Sequence, residues 1–105
     1  MTMDASSGED WEFDKLVHQP TRLQLFAYLY RHGETPFSDL VEDLEITEGN
    51  LSSHLGRMED ADAVRVEKEF VDRKPRTTYE LTDTGRDLFE DHVGTLESLL
   101  ESLDE

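Results

Sequence analysis

Apolar positions along this chain change period partway through. In PTRLQLFAYLYRHG, from Pro20 to Gly33, Leu23, Phe26, Ala27 and Tyr30 recur at three- and four-residue intervals, and Leu25 and Leu29 widen the same face. That spacing predicts a helix with one buried side. Pro20 suits its first turn, where a missing N–H loses no intrahelical partner, and Gly33 suits its stop. A second helix opens at Pro36 and turns Phe37, Leu40, Val41 and Leu44 inward. After a break with Ile46 inward, Thr47 is placed to cap a third helix from about Glu48 to Asp62. Leu51, Leu55 and Met58 share its inner face, while Asn50, Ser53 and Arg57 fall on another.

The period then becomes two. Val64, Val66, Lys68 and Phe70 alternate with Arg65, Glu67 and Glu69, and Thr77, Tyr79 and Leu81 alternate with Thr78 and Glu80. Two strands joined by the polar tip VDRKPRT make a β-hairpin, with Lys68 an exception on the inward face. Thr82 is placed to cap a long last helix. Along it Phe89, Val93, Leu96, Leu100 and Leu103 step by four, three, four and three. That is the 3.5-residue period of a coiled-coil seam, a dimer contact in expectation. Ahead of the first helix, Trp11, Phe13, Leu16 and Val17 predict a short segment packed on the domain. The chain divides into a flexible tail at 1–9, a domain at 10–86 and a dimerisation helix at 87–105. The fold class is mainly α with a β-hairpin: helices, a two-stranded wing and a long terminal helix, the order of a winged helix-turn-helix.

Composition narrows the chemistry. With 105 residues there is room for one modest core. No cysteine is present, which excludes disulfides, thiolate nucleophiles and cysteine metal sites. No apolar run approaches the roughly 20 residues needed to span a bilayer, and the acidic start MTMDASSGEDWEFD is unlike a signal peptide. The expected location is cytoplasmic, with no membrane partner. His18, His32, His54 and His92 show no tight spacing, so no metal and no cofactor is expected. There is no glycine-rich phosphate loop and no supported Ser-His-acid set, so an enzyme is not expected.

Charge changes the picture most. Acidic residues number 26 against 10 basic ones, for a formal charge of -16. The apolar pattern is too regular for disorder, which leaves an acidic surface adapted to molar salt, where repulsion is screened over about 3 Å. That composition resembles a haloarchaeal protein. Against this background two stretches stand out. From Gly49 to Met58 there is no acid at all. From Phe70 to Tyr79, Arg73, Lys74 and Arg76 face only Asp72. A helix that approaches a polyanion needs small, neutral or basic side chains. Asn and Arg match adenine and guanine edges, and Ser and Thr reach phosphate or base. Thr47, Asn50, Ser52, Ser53 and Arg57 supply that set, with His54 on its flank. A basic turn suits phosphates. After Arg86 the chain has no Lys or Arg and carries seven acids from Asp87 onward, so that helix must face away from DNA.

The phrases PTRLQLFAYL, EGNLSSHLGRME and RKPRTTYELTDTG, in that order, resemble winged helix DNA-binding domains of the ArsR/MarR type, closest to archaeal one-domain regulators. The resemblance covers residues 18–89. It implies a transcriptional regulator that binds double-stranded DNA as a homodimer. The third helix would lie in the major groove and the Arg73, Lys74 and Arg76 wing on the flanking backbone or minor groove. It identifies no small-molecule effector, and no operator. The rival expectation is a winged helix that binds a protein and never DNA, which the strong negative charge favours.

Overall fold

A computed structural model describes residues 11–104. The tail expected at 1–9, together with Asp10 and Glu105, lies outside the described residues. Helix α1 runs Pro20–His32 with Pro20 in its first turn; the Gln19 side chain accepts the Arg22 N–H, and Gly33 closes it at φ 77°. Its buried side is Leu25, Phe26 and Leu29, with Leu23 and Tyr30 half-buried. Ala27, expected inside, is exposed. Its place on the inner face goes to Arg22, which precedes Leu25 by three and Phe26 by four and is 9% exposed.

Helix α2 is Phe37–Leu44 and buries Leu40. Glu45, at φ 52°, turns the chain from α2 toward the next helix. Helix α3 is Glu48–Asp60. The Thr47 hydroxyl caps it by accepting the Asn50 N–H, and Leu51, Leu55 and Met58 are its buried residues, as the spacing predicts. It stops two residues before the predicted end. Asp62 takes a left-handed φ of 61° and swings Ala63 and Val64 into the core.

The sheet has three strands where two were expected. Thr35–Pro36 forms β1, Val64–Val71 forms β2 and Lys74–Leu81 forms β3, in the order β1-β3-β2, all antiparallel. Thr35 pairs with Tyr79 and Pro36 with Thr78. This short strand pairs along the edge of β3 beside Thr78, which is buried and whose hydroxyl meets Glu34 at 3.1 Å, although alternation alone put Thr78 outside. The hairpin is also longer than the polar tip indicated. Val71 pairs with Lys74, leaving only Asp72 and Arg73 as the turn, at φ 53° and 66°. Two positive φ values match the twist of the flanking strands. Pro75 sits inside β3 opposite Phe70, tolerated because β1 does not reach that far and leaves its other edge free. Inward alternation ends before the tip: Lys68 is exposed, and Phe70 is 77% exposed.

Helix α4, Asp83–Ser102, is capped by Thr82, whose hydroxyl accepts the Gly85 N–H at 3.0 Å. Its start presses on Ala63, the residue that leads from α3 into β2. A Cβ on Gly85 would lie 2.1 Å from the Ala63 carbonyl oxygen, so only glycine fits. Further on, Phe89 stacks parallel to Phe26 at 6.3 Å and meets Tyr30 at 5.1 Å.

Candidate nucleic-acid interface

Burying Leu51, Leu55 and Met58 fixes the rotation of α3, so Asn50, Ser52, Ser53 and Arg57 project into solvent. Thr47 is exposed as well, its oxygen engaged as the helix cap. The structure does not gather these six candidates at one point. Ser52 lies on the wing side, where it shares a groove of about 430 Å³ with Ser38, Lys68, Pro75, Arg76 and Thr77. Thr47 and Asn50 line a separate cleft of about 260 Å³ against Thr21 and Gln24 of α1. His54 and Arg57 lie toward Arg22.

His54 is held rather than presented. Arg22 Nη1 lies 3.0 Å from its Nδ1, and arginine can only donate, so Nδ1 accepts and the neutral ring keeps its proton on Nε2. Burial, then Arg22 and Arg57, push its pKa below the ordinary histidine value. The same guanidinium donates from Nε to the Leu16 carbonyl at 2.6 Å and from Nη2 to the Lys15 carbonyl at 3.2 Å. Arg22 is thus a strut that ties the segment before α1 to the flank of α3. Periodicity marks Arg22 as inward; its partners, six, seven and 32 residues away, have no sequence signal.

On the wing, Arg73, Lys74 and Arg76 are all exposed. Among the described residues, they, Lys68 and Arg57 enter no ion pair. Arg65 differs: its Nη2 meets Glu80 at 2.7 Å across the strands, which neutralises it. Lys68 instead lies on the same face as Val66 and Tyr79 and opens into the Ser52 groove. Acids frame the surface without filling this groove. Glu48 is in the first turn of α3, and Glu59 acts on Tyr79, whose phenol is pushed up by burial first and by that carboxylate second.

A family model for winged helix DNA-binding domains matches residues 21–100. The chain belongs to this family. A transcriptional regulator homologue from Pyrococcus horikoshii OT3 superposes on this winged helix chain with a TM-score of 0.80 at 32% identity, covering 86% of this chain and 89% of that one. A MarR-family regulator from Enterococcus faecalis V583 gives 0.71 at 27% identity over 99% and 92%. An uncharacterized protein of Methanocaldococcus jannaschii is 29% identical over 79 residues, 75% of this chain and 86% of its own. Membership in this family and the likeness to transcriptional regulators support a DNA-binding regulator and not an enzyme. Among the described residues no helix is long and apolar enough to cross a membrane, and no three His, Asp or Glu side chains converge to hold a metal.

The winged helix places the expected dimer residues in two groups. Phe89 belongs to the domain's own core through Phe26 and Tyr30. Val93 and Leu96 are half-buried, whereas Leu100 and Leu103 are 62% and 70% exposed.

Proposed function

We propose that this winged helix protein is a sequence-specific transcriptional regulator that binds duplex DNA as a homodimer. Helix α3 enters the major groove, with Asn50, Ser52, Ser53 and Arg57 toward base edges. Arg73, Lys74 and Arg76 hold the flanking backbone or minor groove and set register. The observation that carries this reading is the groove shared by Ser52 of α3 and by Lys68 and Arg76 of the wing, whose cations enter no ion pair among the described residues in a chain of charge -16. Lys68 joins the proposed contact set on the same ground. His54, committed to Arg22, serves as support for α3 more than as a base contact.

The second copy is proposed to pack along α4, where Leu100 and Leu103 are exposed. The acidic flanks of that helix keep it off the DNA. A two-fold pair would read half-sites about one helical turn apart. The acidic composition is proposed to be an adaptation to molar salt. Counterion release then contributes little, and base contacts and DNA shape carry more of the affinity.

Fluorescence anisotropy with promoter duplexes in molar KCl tests the reading. The native protein is expected to select some duplexes over others, and the Arg73→Ala, Arg76→Ala double variant to bind them a few-fold more weakly, a gap that widens as KCl is lowered. No binding to any duplex by folded, dimeric protein would move the reading to the rival, a protein-binding winged helix. The 77% exposed Phe70 beside Pro75 favours that rival, as an apolar contact at the wing tip.

A further inference from the structure

Away from the proposed DNA face, two histidines meet where the segment before α1 lies along α4. His92 is 2% exposed, and its Nε2 is 3.0 Å from Nδ1 of His18. Phe13 stacks on the His18 ring at 4.5 Å and meets His92 edge-on at 5.9 Å. Asp14 Oδ1 accepts the N–H groups of Leu16 and Val17 at 2.8 and 3.2 Å, and its carbonyl accepts the His18 N–H, which fixes the turn that presents His18. At the outer end, Trp11 Nε1 donates to Ser98 Oγ at 3.3 Å. The pair therefore sits in the middle of a docked strap running from Trp11 to Gln19.

The proton count at this pair is unusual. His92 Nδ1 is buried with no hydrogen-bond partner among the described residues. Two ring nitrogens 3.0 Å apart share one proton. If His18 supplied it, His92 would have to bury an N–H at Nδ1 with no acceptor. The cheaper arrangement has His92 Nε2–H donating to His18 Nδ1, with a bare lone pair at His92 Nδ1 and the exposed His18 keeping its own N–H at the solvent. A further proton breaks this arrangement wherever it lands. On His92 it must go to the buried Nδ1. On His18 it fills Nδ1, sets two N–H groups face to face, and again drives the His92 proton onto Nδ1.

We propose that His18 and His92 form a proton-operated latch that holds the Trp11–Phe13 end of the strap on α4 while both rings are neutral and releases that end on acidification, buried Val17 keeping the root of the strap in the core. Burial, followed by His18, pushes His92 protonation below the ordinary histidine value, and Asp14 works the other way. His18 and Asp14 are the titratable groups that act on it, and both belong to the strap. A histidine whose folded pKa is depressed is stable in its seat above its unfolded value of about 6.5 and loses that stability as pH falls below it. Release uncovers the α4 surface around Gly94, Thr95 and Ser98, which Trp11 and Glu12 now flank. The latch does not depend on how the protein binds DNA.

The only tryptophan, Trp11, reports directly on the strap. In the full chain, Trp11 emission and anisotropy are followed from pH 8 to 5 beside far-ultraviolet circular dichroism. The expected result is falling anisotropy below about pH 6.5, with the released fraction growing up to tenfold per pH unit, while helix content holds. His92→Leu should remove the transition with the strap still docked. His92→Gln, whose amide can still donate to His18 Nδ1 but cannot titrate, should do the same and serves if the leucine variant fails to fold. A native protein without the transition overturns the latch. So does a transition that survives in either folded variant, or one that coincides with loss of helix, which would be global acid unfolding. His54, at the other end of the strap's Arg22 anchor, remains in both variants and so cannot account for their difference.

Discussion

Helices α3 and α4 begin with the same device and end in opposite surroundings. Thr47 accepts the Asn50 N–H at 3.2 Å, and Thr82 accepts the Gly85 N–H at 3.0 Å. Beyond the caps they diverge. From Gly49 to Met58 α3 has no acid and exposes Asn50, Ser52, Ser53 and Arg57. From Asp87 on, the chain adds seven acids and no Lys or Arg, and Leu100 and Leu103 stand in solvent. Even their early glycines differ: a Cβ at Gly49 meets nothing within 4 Å, whereas one at Gly85 strikes the Ala63 carbonyl. Capping sets where a helix starts. What the helix faces is decided by its outer residues and by how closely its first turn is packed.

The largest expected effect comes from putting the same side chain at both glycines. Gly85→Ala forces the start of α4 away from Ala63 and should destabilise the fold on the order of 3 kcal/mol, the upper range for overpacking. In thermal melts that lowers Tm by roughly 12–24 °C for a domain of this size. Gly49→Ala, in open space within a helix, should gain up to about 1 kcal/mol. Equal Tm values for the two variants would mean that the tight seat of α4 does not exist in solution.

At the far end of α4 the expected change is in assembly, not folding. The Leu100→Asp, Leu103→Asp pair removes side chains that are 62% and 70% exposed, so Tm of the isolated domain should move by less than about 1 kcal/mol's worth. On the proposed reading, sedimentation velocity should show a dimer for the native protein and a monomer for the variant. A variant that stays dimeric would place the second copy elsewhere, and the seam would then be only an acidic overhang.

Much of this architecture can be read from residue spacing. Caps at Thr47 and Thr82, the three buried positions of α3 and the two wing strands all follow from local pattern. What escapes the sequence is long-range. Strand β1 is two residues long, too short for any periodicity, and exists because β3 offers it an edge. Thr78 is buried between that strand and β2, with its hydroxyl on Glu34. The His18–His92 pair joins positions 74 apart, and the Arg22–His54 strut positions 32 apart. For the site, the residue types are legible but their grouping is not. Ser52 and Arg76 come together through the pairing register of the hairpin, and Asn50 lines a different cleft.

The wing completes the acid-poor region, and its turn allows charge to be separated from backbone strain. Arg73 sits at φ 66° in the second position of a two-residue turn where glycine is the natural occupant. A left-handed arginine costs roughly 1 kcal/mol. Arg73→Gly should therefore raise stability by up to about that amount, visible as a Tm increase of several degrees. It also deletes a cation that enters no ion pair among the described residues. On the proposed reading, duplex affinity should fall by a few-fold even as the fold tightens, and the slope of log affinity against log salt should become shallower by about one neutralised phosphate. Stability and affinity rising together would show that Arg73 never reaches the backbone, and would leave Lys68 and Arg76, beside Ser52, as the wing's contribution.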